Sequence, residues 1–438
     1  MNDAVLSLHR PRLSQIRNRV RDSIVALAHA TYEMARKMPL PRRLRSRAAR
    51  LVVWHRGTTE VPIGKVLLGG QNGLDATAYT DETGDLLWPS RRVIDGPHAE
   101  LLGMAFGSAL TDEQILGSAY ATMARHCIQL SGQYFTATDD AGIVEVAREF
   151  IGWASADVPV SDHDRRPHHS EAGTPVLLAP IRHSDCYQVV DGHHRVAALG
   201  VAGATSVPAR IKRVKVETPL QTLLQEMSWI GGEHELYQPV FAPELEQSWV
   251  TVRNCADRLA GMEKILAELG VEPTGASYLD VASCYGWFLS AMDEFGFDVQ
   301  GVERDPSAPK LGEAIYGLDP DRVHVGDAAE FLHDANRTWD VVSCFSLLHH
   351  FALGRAEVGA EELMHLLDEV TGRVLFLDTG QAHEAWFRDS LPDWDTDYVA
   401  GFIARHGTFD RVIDLGPDLD AVGPYEGNYG RHLFAAIR

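Results

Sequence analysis

The sequence predicts an α/β protein made of a doubly wound, mostly parallel sheet, a smaller α+β domain and a basic helical arm. Three observations predict this architecture. The 438 residues exceed what one hydrophobic core usually serves, strand-like and helical runs alternate in the C-terminal half, and the first 56 residues hold 13 of the 40 Lys and Arg residues. The predicted parts are the arm at 1–60, the α+β domain at 61–216, a helical connector at 217–274 and the large sheet at 275–438.

The arm is predicted to form an amphipathic helix, because apolar residues recur in it at steps of mostly three and four residues. These residues are Leu13, Ile16, Val20, Ile24, Leu27 and Met34. Pro39 and Pro41 end the pattern, since proline lacks the backbone donor that a helix needs. Residues 1–56 carry a formal charge of +10, and the rest of the chain carries −31.

This charge separation restricts the class of partner. An acidic body repels nucleic acid and anionic membranes, whereas a basic arm attracts them. Three interpretations of the arm stay open: it docks on the body, it contacts an anionic membrane surface or a lipid-linked substrate, or it binds nucleic acid. The sequence has neither a secretory signal nor a run of about 18 uncharged apolar residues. The expected location is the cytoplasm, with peripheral contact at the inner membrane surface as an alternative.

The five cysteines favour free thiols over disulfides or structural zinc, because they are odd in number and never spaced as C-x-x-C. We therefore predict no structural metal.

The C-terminal half begins with a strand–turn–helix–strand pattern. SYLDVA is a short apolar strand containing Asp280, SCYG is a turn, and WFLSAMDEFG starts as an amphipathic helix. The next strand, DVQGVERD, ends at Glu303, 23 residues after Asp280. A carboxylate at that place can accept hydrogen bonds from a ribose diol.

Three more strands complete the pattern. RVHVGD ends at Asp327, WDVVSCFSLLHH runs into two histidines, and GRVLFLDTG follows a helix. Strands that alternate with helices form a parallel sheet, whose ligands bind at the carboxyl ends of the strands. The polar residues named above all lie at those ends.

Over roughly 275–438, these residues resemble the class I S-adenosylmethionine-dependent methyltransferases, which have a Rossmann-like sheet. LDVASCYGWF stands where that family has an acidic residue and a glycine-rich turn, with Ala282 and Cys284 at positions where glycine is usual. Another nucleotide binder and an inactive sheet are the alternatives, although the G-x-G-x-x-G of dinucleotide-binding oxidoreductases is absent. The resemblance implies S-adenosylmethionine as cofactor, bound by Asp280, Ala282, Cys284, Gly286, Glu303, Asp327 and Ala328. Asp280 and Gly286 would line its methionine end, Glu303 the ribose, and Asp327 with Ala328 the adenine.

Methyl transfer to oxygen needs alignment of the reactants and removal of a proton. His349 and His350 follow the fourth strand, and one of them is a candidate general base because imidazole titrates near neutral pH. Asp378, His383 and Glu384 are rival candidates. The spacing of these three also allows a divalent cation, as in some sugar O-methyltransferases.

The acceptor is expected to be a sugar, a glycan or a related small molecule. SCYGWF, FSLLHHF and GNYGRHLFA are similar to pieces of methyltransferases from bacterial surface-polysaccharide or natural-product sugar pathways. Aromatic and hydrogen-bonding residues suit a sugar site, although Tyr is also a common core residue. The candidates are Tyr237, Gln238, Arg253, Tyr425, Asn428, Tyr429 and Arg431. The acidic body repels a nucleic acid acceptor.

A second motif lies near residue 190. YQVVDGHHRVAALG is typical of a strand, a sharp turn at Asp191 and Gly192, and a helix that begins at His193, His194 and Arg195. The free N–H groups of a helix N-terminus bind anions such as phosphate.

DGHHR with the following small-residue helix resembles the ParB/sulfiredoxin-like fold, over about 174–212. The resemblance implies nucleotide binding or phosphotransfer, with Glu171 and Asp185 as guesses for a catalytic carboxylate. A structural or substrate-presenting role and DNA binding stay open.

Three functions follow. The first is an S-adenosylmethionine-dependent O-methyltransferase whose ParB-like domain binds substrate or a nucleotide. The second is a bifunctional phosphotransferase and methyltransferase. The third is a nucleotide-sensing or partner-binding protein without turnover.

Overall fold

The computed structural model describes residues 57–155, 174–227, 234–421, 425–426 and 429–438. The predicted arm up to residue 56, Glu171 and Asn428 lie outside the described residues. The chain divides into two compact units. The first unit consists of Met1–Thr222 with Ala242–Ser248, and the second of Leu223–Phe241 with Trp249–Arg438. Residues 217–274, predicted as a connector, contribute to both units.

The first unit contains a five-stranded mixed sheet of order β1-β5-β3-β4-β2. Its strands are β1 (Thr59–Pro62), β2 (Val66–Leu67), β3 (Val176–Pro180), β4 (Tyr187–Asp191) and β5 (Ser206–Ile211). Its helices are α1 (Ala76–Thr83), α2 (Pro97–Met104), α3 (Asp112–Leu116), α4 (Ala119–Ser131), α5 (Asp140–Ser155) and α6 (His193–Val201). The chain continues from β5 into α7 (Pro219–Glu226). One apolar core joins this sheet and its helices, as expected for an α+β domain.

The second unit contains a seven-stranded sheet of order β10-β9-β8-β11-β12-β14-β13, and a separate short pair, β6 with β7. The strands are β6 (Glu235–Leu236), β7 (Val250–Thr251), β8 (Ser277–Val281), β9 (Asp298–Glu303), β10 (Val323–Val325), β11 (Trp339–Phe345), β12 (Thr371–Asp378), β13 (Arg411–Pro417) and β14 (His432–Ile437). The helices are α8 (Ala256–Glu268), α9 (Trp287–Phe295), α10 (Ala308–Tyr316), α11 (Ala328–Asp334), α12 (Leu348–Ala352), α13 (Ala360–Val370) and α14 (Thr396–His406).

The strand order places a topological switch point between β8 and β11. Strands β8, β9 and β10 extend the sheet in one direction, and β11 and β12 in the other, all five in parallel pairing. Because parallel neighbours need a long crossover, helices connect them, and the central strands are buried apolar runs. This arrangement confirms the predicted doubly wound, Rossmann-like sheet. The antiparallel strands β13 and β14 complete it, and the sequence reading did not include them.

Among the residues that the structure describes, no helix is both long and apolar enough to cross a membrane.

Candidate functional site

Asp280 lies inside β8 and is buried behind the switch point. Its Oδ1 accepts a hydrogen bond of 2.6 Å from the Ser343 hydroxyl on β11, and Tyr278 contacts that hydroxyl at 2.6 Å. Burial raises the pKa of Asp280 to about 7, with a smaller contribution from the Glu303 carboxylate. This carboxyl group is therefore poised between its two protonation states near neutral pH.

The loop after β8 has a left-handed backbone at three positions. Ala282 has a φ of 64°, Cys284 of 54° and Gly286 of 87°. Only glycine adopts such angles freely, so Ala282 and Cys284 hold the conformation for which the related family uses glycine. Gly286 is the residue before α9, and a Cβ there would lie 2.6 Å from Leu318 Cδ1. Position 286 therefore favours glycine through its backbone conformation, and a side chain there would displace Leu318.

Glu303 connects this loop to the end of β9. Its Oε2 accepts the Cys284 N–H at 2.8 Å, and its Oε1 accepts the N–H groups of Arg304 at 2.8 Å and Asp305 at 3.1 Å. The carboxylate thus stands at the carboxyl end of its strand, beside the switch point. Sequence reasoning placed it at this strand end.

Asp327 begins α11 at the end of the neighbouring strand β10. Its Oδ1 accepts the N–H groups of Ala329 at 2.8 Å and of Glu330 at 3.2 Å, so it caps the helix. Asp327 itself is exposed. Its side chain is therefore both a helix cap and accessible to a ligand.

Gln238 contacts the loop after β8 as well. Its Nε2 donates to the Ser283 carbonyl at 3.3 Å, and its Oε1 accepts the Trp287 N–H at 3.2 Å. The sequence suggested Gln238 as a substrate contact. In the structure its carboxamide connects the loop to the first turn of α9.

A buried cluster of three arginines and three carboxylates lies beyond the carboxyl ends of β11 and β12. We call it the arginine–carboxylate cluster, and its members are Arg253, Arg258, Arg431, Asp378, Glu384 and Asp418. All six side chains are at most 4 % exposed. Since charges this deeply buried need partners, each is paired with a group of opposite sign.

Two of these arginines share the carboxylates. Arg258 donates from Nε to Asp378 Oδ2 at 2.6 Å and from Nη2 to Asp418 Oδ2. Arg253 donates from Nε to Asp418 Oδ2 at 2.8 Å. Arg431 instead pairs with Glu384. The cluster is thus a network in which each arginine is held in one orientation.

Ser346, immediately after β11, connects the two arginines that the sequence suggested. Its hydroxyl accepts from Arg253 Nη1 at 2.7 Å and from Arg431 Nη1 at 2.8 Å, and donates to Asp378 Oδ1 at 3.1 Å. Its φ of 58° is left-handed. A strained residue at a strand end is a common feature of functional sites.

The tyrosines suggested as substrate contacts surround the same arginines. The ring of Tyr429 lies 4.6 Å from the guanidinium of Arg253 and 4.7 Å from that of Arg431. Arg253 Nη1 donates to the Tyr237 hydroxyl at 3.4 Å. The fold therefore brings together four of the seven residues predicted for the acceptor, namely Tyr237, Arg253, Tyr429 and Arg431. Tyr425 lies near Tyr429 and bonds to Glu235.

Sequence reasoning missed Arg258, Asp418 and Ser346. Arg258 had a usable signal, because it shares the buried face of α8 with Met262, Ile265 and Leu266. A charged residue on an apolar helix face requires a buried partner. No comparable pattern identifies Asp418, which is far away in sequence.

His349 lies on α12 against the turn after β12. Its Nδ1 accepts the Gly380 N–H at 3.1 Å. Burial, the Arg431 guanidinium and His350 lower the pKa of His349 to about 2. The neutral ring therefore carries its proton on Nε2, because a nitrogen that accepts a hydrogen bond carries none.

The other two histidines differ in orientation. His350 accepts at Nδ1 from Arg355 Nη1 at 3.3 Å, and burial, with Arg355 and Arg431, lowers the pKa of His350. His383 donates from Nε2 to the Tyr429 carbonyl at 3.0 Å, so in its neutral form the lone pair is on Nδ1. All three neutral rings thus carry the proton on Nε2, but of the three only His383 has an Nδ1 to which no described residue donates.

Asp378 and Glu384, the other base candidates, are occupied by arginines. Within the described ranges, no three His, Cys, Asp or Glu side chains are grouped so that they could hold a metal ion.

In the first unit, Gly192 ends the turn before α6 with a φ of 113°. A Cβ there would meet Val176 Cγ1 at 2.8 Å. Arg195 is buried, with Nη2 donating to Asp191 Oδ2 at 2.9 Å and Nη1 to the Thr174 carbonyl at 2.6 Å. Arg195 thus fixes the turn.

The two histidines of the same motif are also bonded. His193 Nε2 lies 2.5 Å from the Leu68 carbonyl, and His194 Nε2 lies 2.9 Å from the Tyr120 hydroxyl. Asp185, by contrast, forms a surface ion pair with Lys65.

Two family matches lie mainly in different units. Residues 256–395 match the family described as a methyltransferase domain, and residues 168–228 match the ParB N-terminal domain. The chain thus contains a methyltransferase domain and a ParB-like domain, which confirms both resemblances noted in the sequence. No curated protein matches the chain.

Solved structures give weaker similarity. WbdD, a bifunctional kinase-methyltransferase, matches with 21% identity and a TM-score of 0.37 over 50% of this chain. The match covers 46% of WbdD, less than half its length. Magnesium protoporphyrin IX methyltransferase (ChlM) from Synechocystis PCC 6803, crystallised with bound SAM, matches with 13% identity and a TM-score of 0.29, over 42% of this chain and 82% of that chain.

Proposed function

We propose that the second unit is an S-adenosylmethionine-dependent O-methyltransferase that acts on a sugar or a related small molecule. The methyltransferase domain at 256–395 gives the reaction class. One contact carries the proposal for the donor: the Glu303 carboxylate accepts the Cys284 N–H. It fixes a carboxylate beside the loop at the switch point, where doubly wound sheets bind nucleotides.

The residues around this contact fit the adenosine half of the donor. Glu303 accepts three backbone N–H groups, and a carboxylate has about four acceptor positions. One position is therefore left for a ribose hydroxyl. The side chains of Ala282 and Cys284, which hold a left-handed backbone, are small where the ligand approaches. When bound, the donor supplies an activated methyl group on a positively charged sulfur.

The arginine–carboxylate cluster supports an uncharged acceptor. Its three arginines and three carboxylates balance in formal charge, so the cluster has no excess positive charge to attract a phosphate or carboxylate. Tyr429 is 4% exposed and packs against the arginines. The half-buried Tyr237 offers a sugar both an apolar ring surface and a hydroxyl group. A polyhydroxyl compound uses both features.

We assign the general base to His383. Its Nε2–H is held by the Tyr429 carbonyl, which leaves Nδ1 to take the proton of the attacking hydroxyl. His349 is less suited, because its Nδ1 lone pair is used by the Gly380 N–H. Its role is then to position the turn after β12. His350 stays a candidate base, because Arg355, which donates to its Nδ1, is exposed and can turn into solvent to free that lone pair.

Calorimetric titration with S-adenosylhomocysteine tests the donor site. Glu303→Ala should weaken binding by roughly 1.5–3 kcal/mol, the range for hydrogen bonds to a charged group. Glu330→Ala, an exposed carboxylate in the first turn of α11, is the matched control and should bind as the wild type does. An unchanged affinity in Glu303→Ala removes Glu303 from the site. A mass-shift screen of neutral oligosaccharides beside nucleotide sugars tests the acceptor class, and methylation of the phosphate-bearing compounds alone would contradict an uncharged acceptor.

We further propose, as a second candidate function, phosphate binding with phosphotransfer in the first unit. The supporting observation is α6, whose Gly192 N-terminus receives no side-chain cap from the described residues. Its first N–H groups suit a phosphate. ATP hydrolysis by the wild type that is lost in Arg195→Ala supports phosphotransfer, provided that circular dichroism shows a folded variant. If the wild-type protein does not hydrolyse ATP, the first unit is a binding or sensing module instead.

A further inference from the structure

The first unit contains a cavity of about 300 Å³ in front of α6. One wall is the turn Gly70–Gly73 and another is the start of α6, at Gly192–Arg195. Phe135 and Trp153 add aromatic surface. The cavity is at the small end of the range of ligand pockets, which is about 300–1,000 Å³.

Two buried side chains that line this cavity have nitrogen atoms without a hydrogen-bond partner among the described residues. His98, on α2, is 0% exposed, and neither of its ring nitrogens has a partner there. Gln71 is 3% exposed, and its Nε2 also has no hydrogen-bond partner among the described residues. Buried polar groups are normally hydrogen-bonded, so two unsatisfied groups on one cavity indicate a polar ligand.

The hydrogen-bonding chemistry of His98 and Gln71 restricts the class of ligand. Burial, with His194 and His193 nearby, lowers the pKa of His98, so its ring is neutral and has one donor and one acceptor. The Gln71 amide offers donors. A hydroxyl group both donates and accepts, and it satisfies either side chain. Neighbouring hydroxyls on a small ring would satisfy both.

We propose that this cavity binds a small phosphorylated sugar, with its hydroxyls on His98 and Gln71 and its phosphate at the N-terminus of α6. The phosphate end rests on the second function proposed above, and the sugar end is independent of it. His98 is next to that N-terminus, since its ring lies 5.4 Å from the ring of His193, stacked at 16°. The small volume favours a sugar phosphate over a nucleoside triphosphate.

Calorimetry on the full chain tests the proposal with inorganic phosphate, ATP and a panel of glucose 6-phosphate, glucose 1-phosphate and mannose 6-phosphate. At least one hexose phosphate should bind at least tenfold more tightly than either phosphate or ATP. Tighter binding of ATP, or no gain over phosphate for any member of the panel, overturns the ligand class. If phosphate does not bind and the hexose phosphates bind only weakly, the phosphate site proposed at α6 is overturned as well.

His98→Phe and Gln71→Leu test the two side chains. Each should weaken hexose phosphate binding at least tenfold and leave phosphate binding unchanged. Each should also raise the Tm of the ligand-free protein, because an unsatisfied buried group is removed. Gln188→Leu is the matched control: Gln188 is buried, its Nε2 also has no described partner, and it does not line the cavity. It should raise the Tm and leave binding intact. Unchanged hexose phosphate binding in both cavity variants overturns the assignment.

Discussion

Arg431 and Glu384 form a two-pronged ion pair inside the second unit, with Nε 2.8 Å from Oε1 and Nη2 2.8 Å from Oε2. The pair joins the residue before β14 to the turn after β12. Glu384 also accepts the Gln381 N–H at 2.8 Å and the Trp386 indole N–H at 2.7 Å. Its carboxylate is therefore fully used, and the guanidinium of Arg431 is fixed against Tyr429.

Arg431→Met should destabilise the second unit by about 3–5 kcal/mol, because it leaves the buried Glu384 carboxylate without its cation. Arg431→Met/Glu384→Gln should recover part of that loss, since the buried charge is gone. Urea denaturation measures both. Arg322→Met, which breaks an exposed pair with Asp298, is the control and should cost no more than about 1 kcal/mol. Equal losses in Arg431→Met and Arg322→Met would contradict the proposed burial penalty.

Asp280 should make stability depend on pH. Its folded-state pKa of about 7 is above the ordinary value of about 3.9, so the folded state holds its proton more tightly than the unfolded state. This contribution is complete below about pH 4 and is lost as the pH rises through 7.

Asp280→Asn cannot lose a proton, so its stability relative to the wild type should rise between pH 5 and pH 8. The gain should be on the order of a few kcal/mol, at 1.36 kcal/mol per pKa unit. Urea denaturation at both pH values, without ligand, measures it. A difference between variant and wild type that is the same at pH 5 and pH 8 would refute the assignment of a raised pKa.

The sequence predicts where the candidate donor-site residues lie in the fold because the pattern is local, and their role in binding the donor stays a prediction. Asp280, Glu303 and Asp327 each lie in or at the end of a recognisable strand, and chain order determines that parallel strands end at one edge of the sheet. The turn chemistry at Ala282 and Cys284 is also local, since φ depends on neighbouring residues.

The acceptor side is less predictable because its contacts are long-range. Arg258 and Asp418 bond across 160 residues, and no periodicity connects them. The orientation of His383 depends on the carbonyl of Tyr429, 46 residues later. His98 and Gln71 are likewise remote from the DGHHR motif in sequence. Residue types suggested some members of these groups, but only tertiary packing assembles them.

Two substitutions in the loop after β8 should affect stability in opposite ways, because one relieves backbone strain and the other adds strain and a steric contact. Cys284→Gly should leave stability unchanged or slightly higher, because glycine adopts the left-handed backbone without strain. Gly286→Ala should cost about 1–3 kcal/mol, since it adds strain at a φ of 87° and a Cβ 2.6 Å from Leu318 Cδ1. Thermal denaturation with and without S-adenosylhomocysteine compares them. A Cys284→Gly variant less stable than Gly286→Ala would show that the thiol, and not the backbone, determines the loop.

His383→Ala should lower kcat by roughly 10²–10⁴-fold, the usual contribution of a positioned base, and leave the Kd for S-adenosylhomocysteine unchanged. His383→Gln keeps a donor, its Nε2, for the Tyr429 carbonyl but has no basic nitrogen, so it should be as slow. His349→Asn, whose Oδ1 can accept the Gly380 N–H in place of Nδ1, should stay close to wild type. Initial rates at saturating donor, once an acceptor is known, make the comparison.

Free imidazole distinguishes loss of a base from loss of structure. It should restore part of the activity of His383→Ala, because the cavity left by the side chain admits the missing base, and it should not help His383→Gln, where the amide occupies that space. If imidazole instead restores the activity of a slow His349→Ala variant, His349 on α12 is the base. The tautomer that the Gly380 N–H fixes in His349 must then change during turnover, and the role of His383 is to position Tyr429.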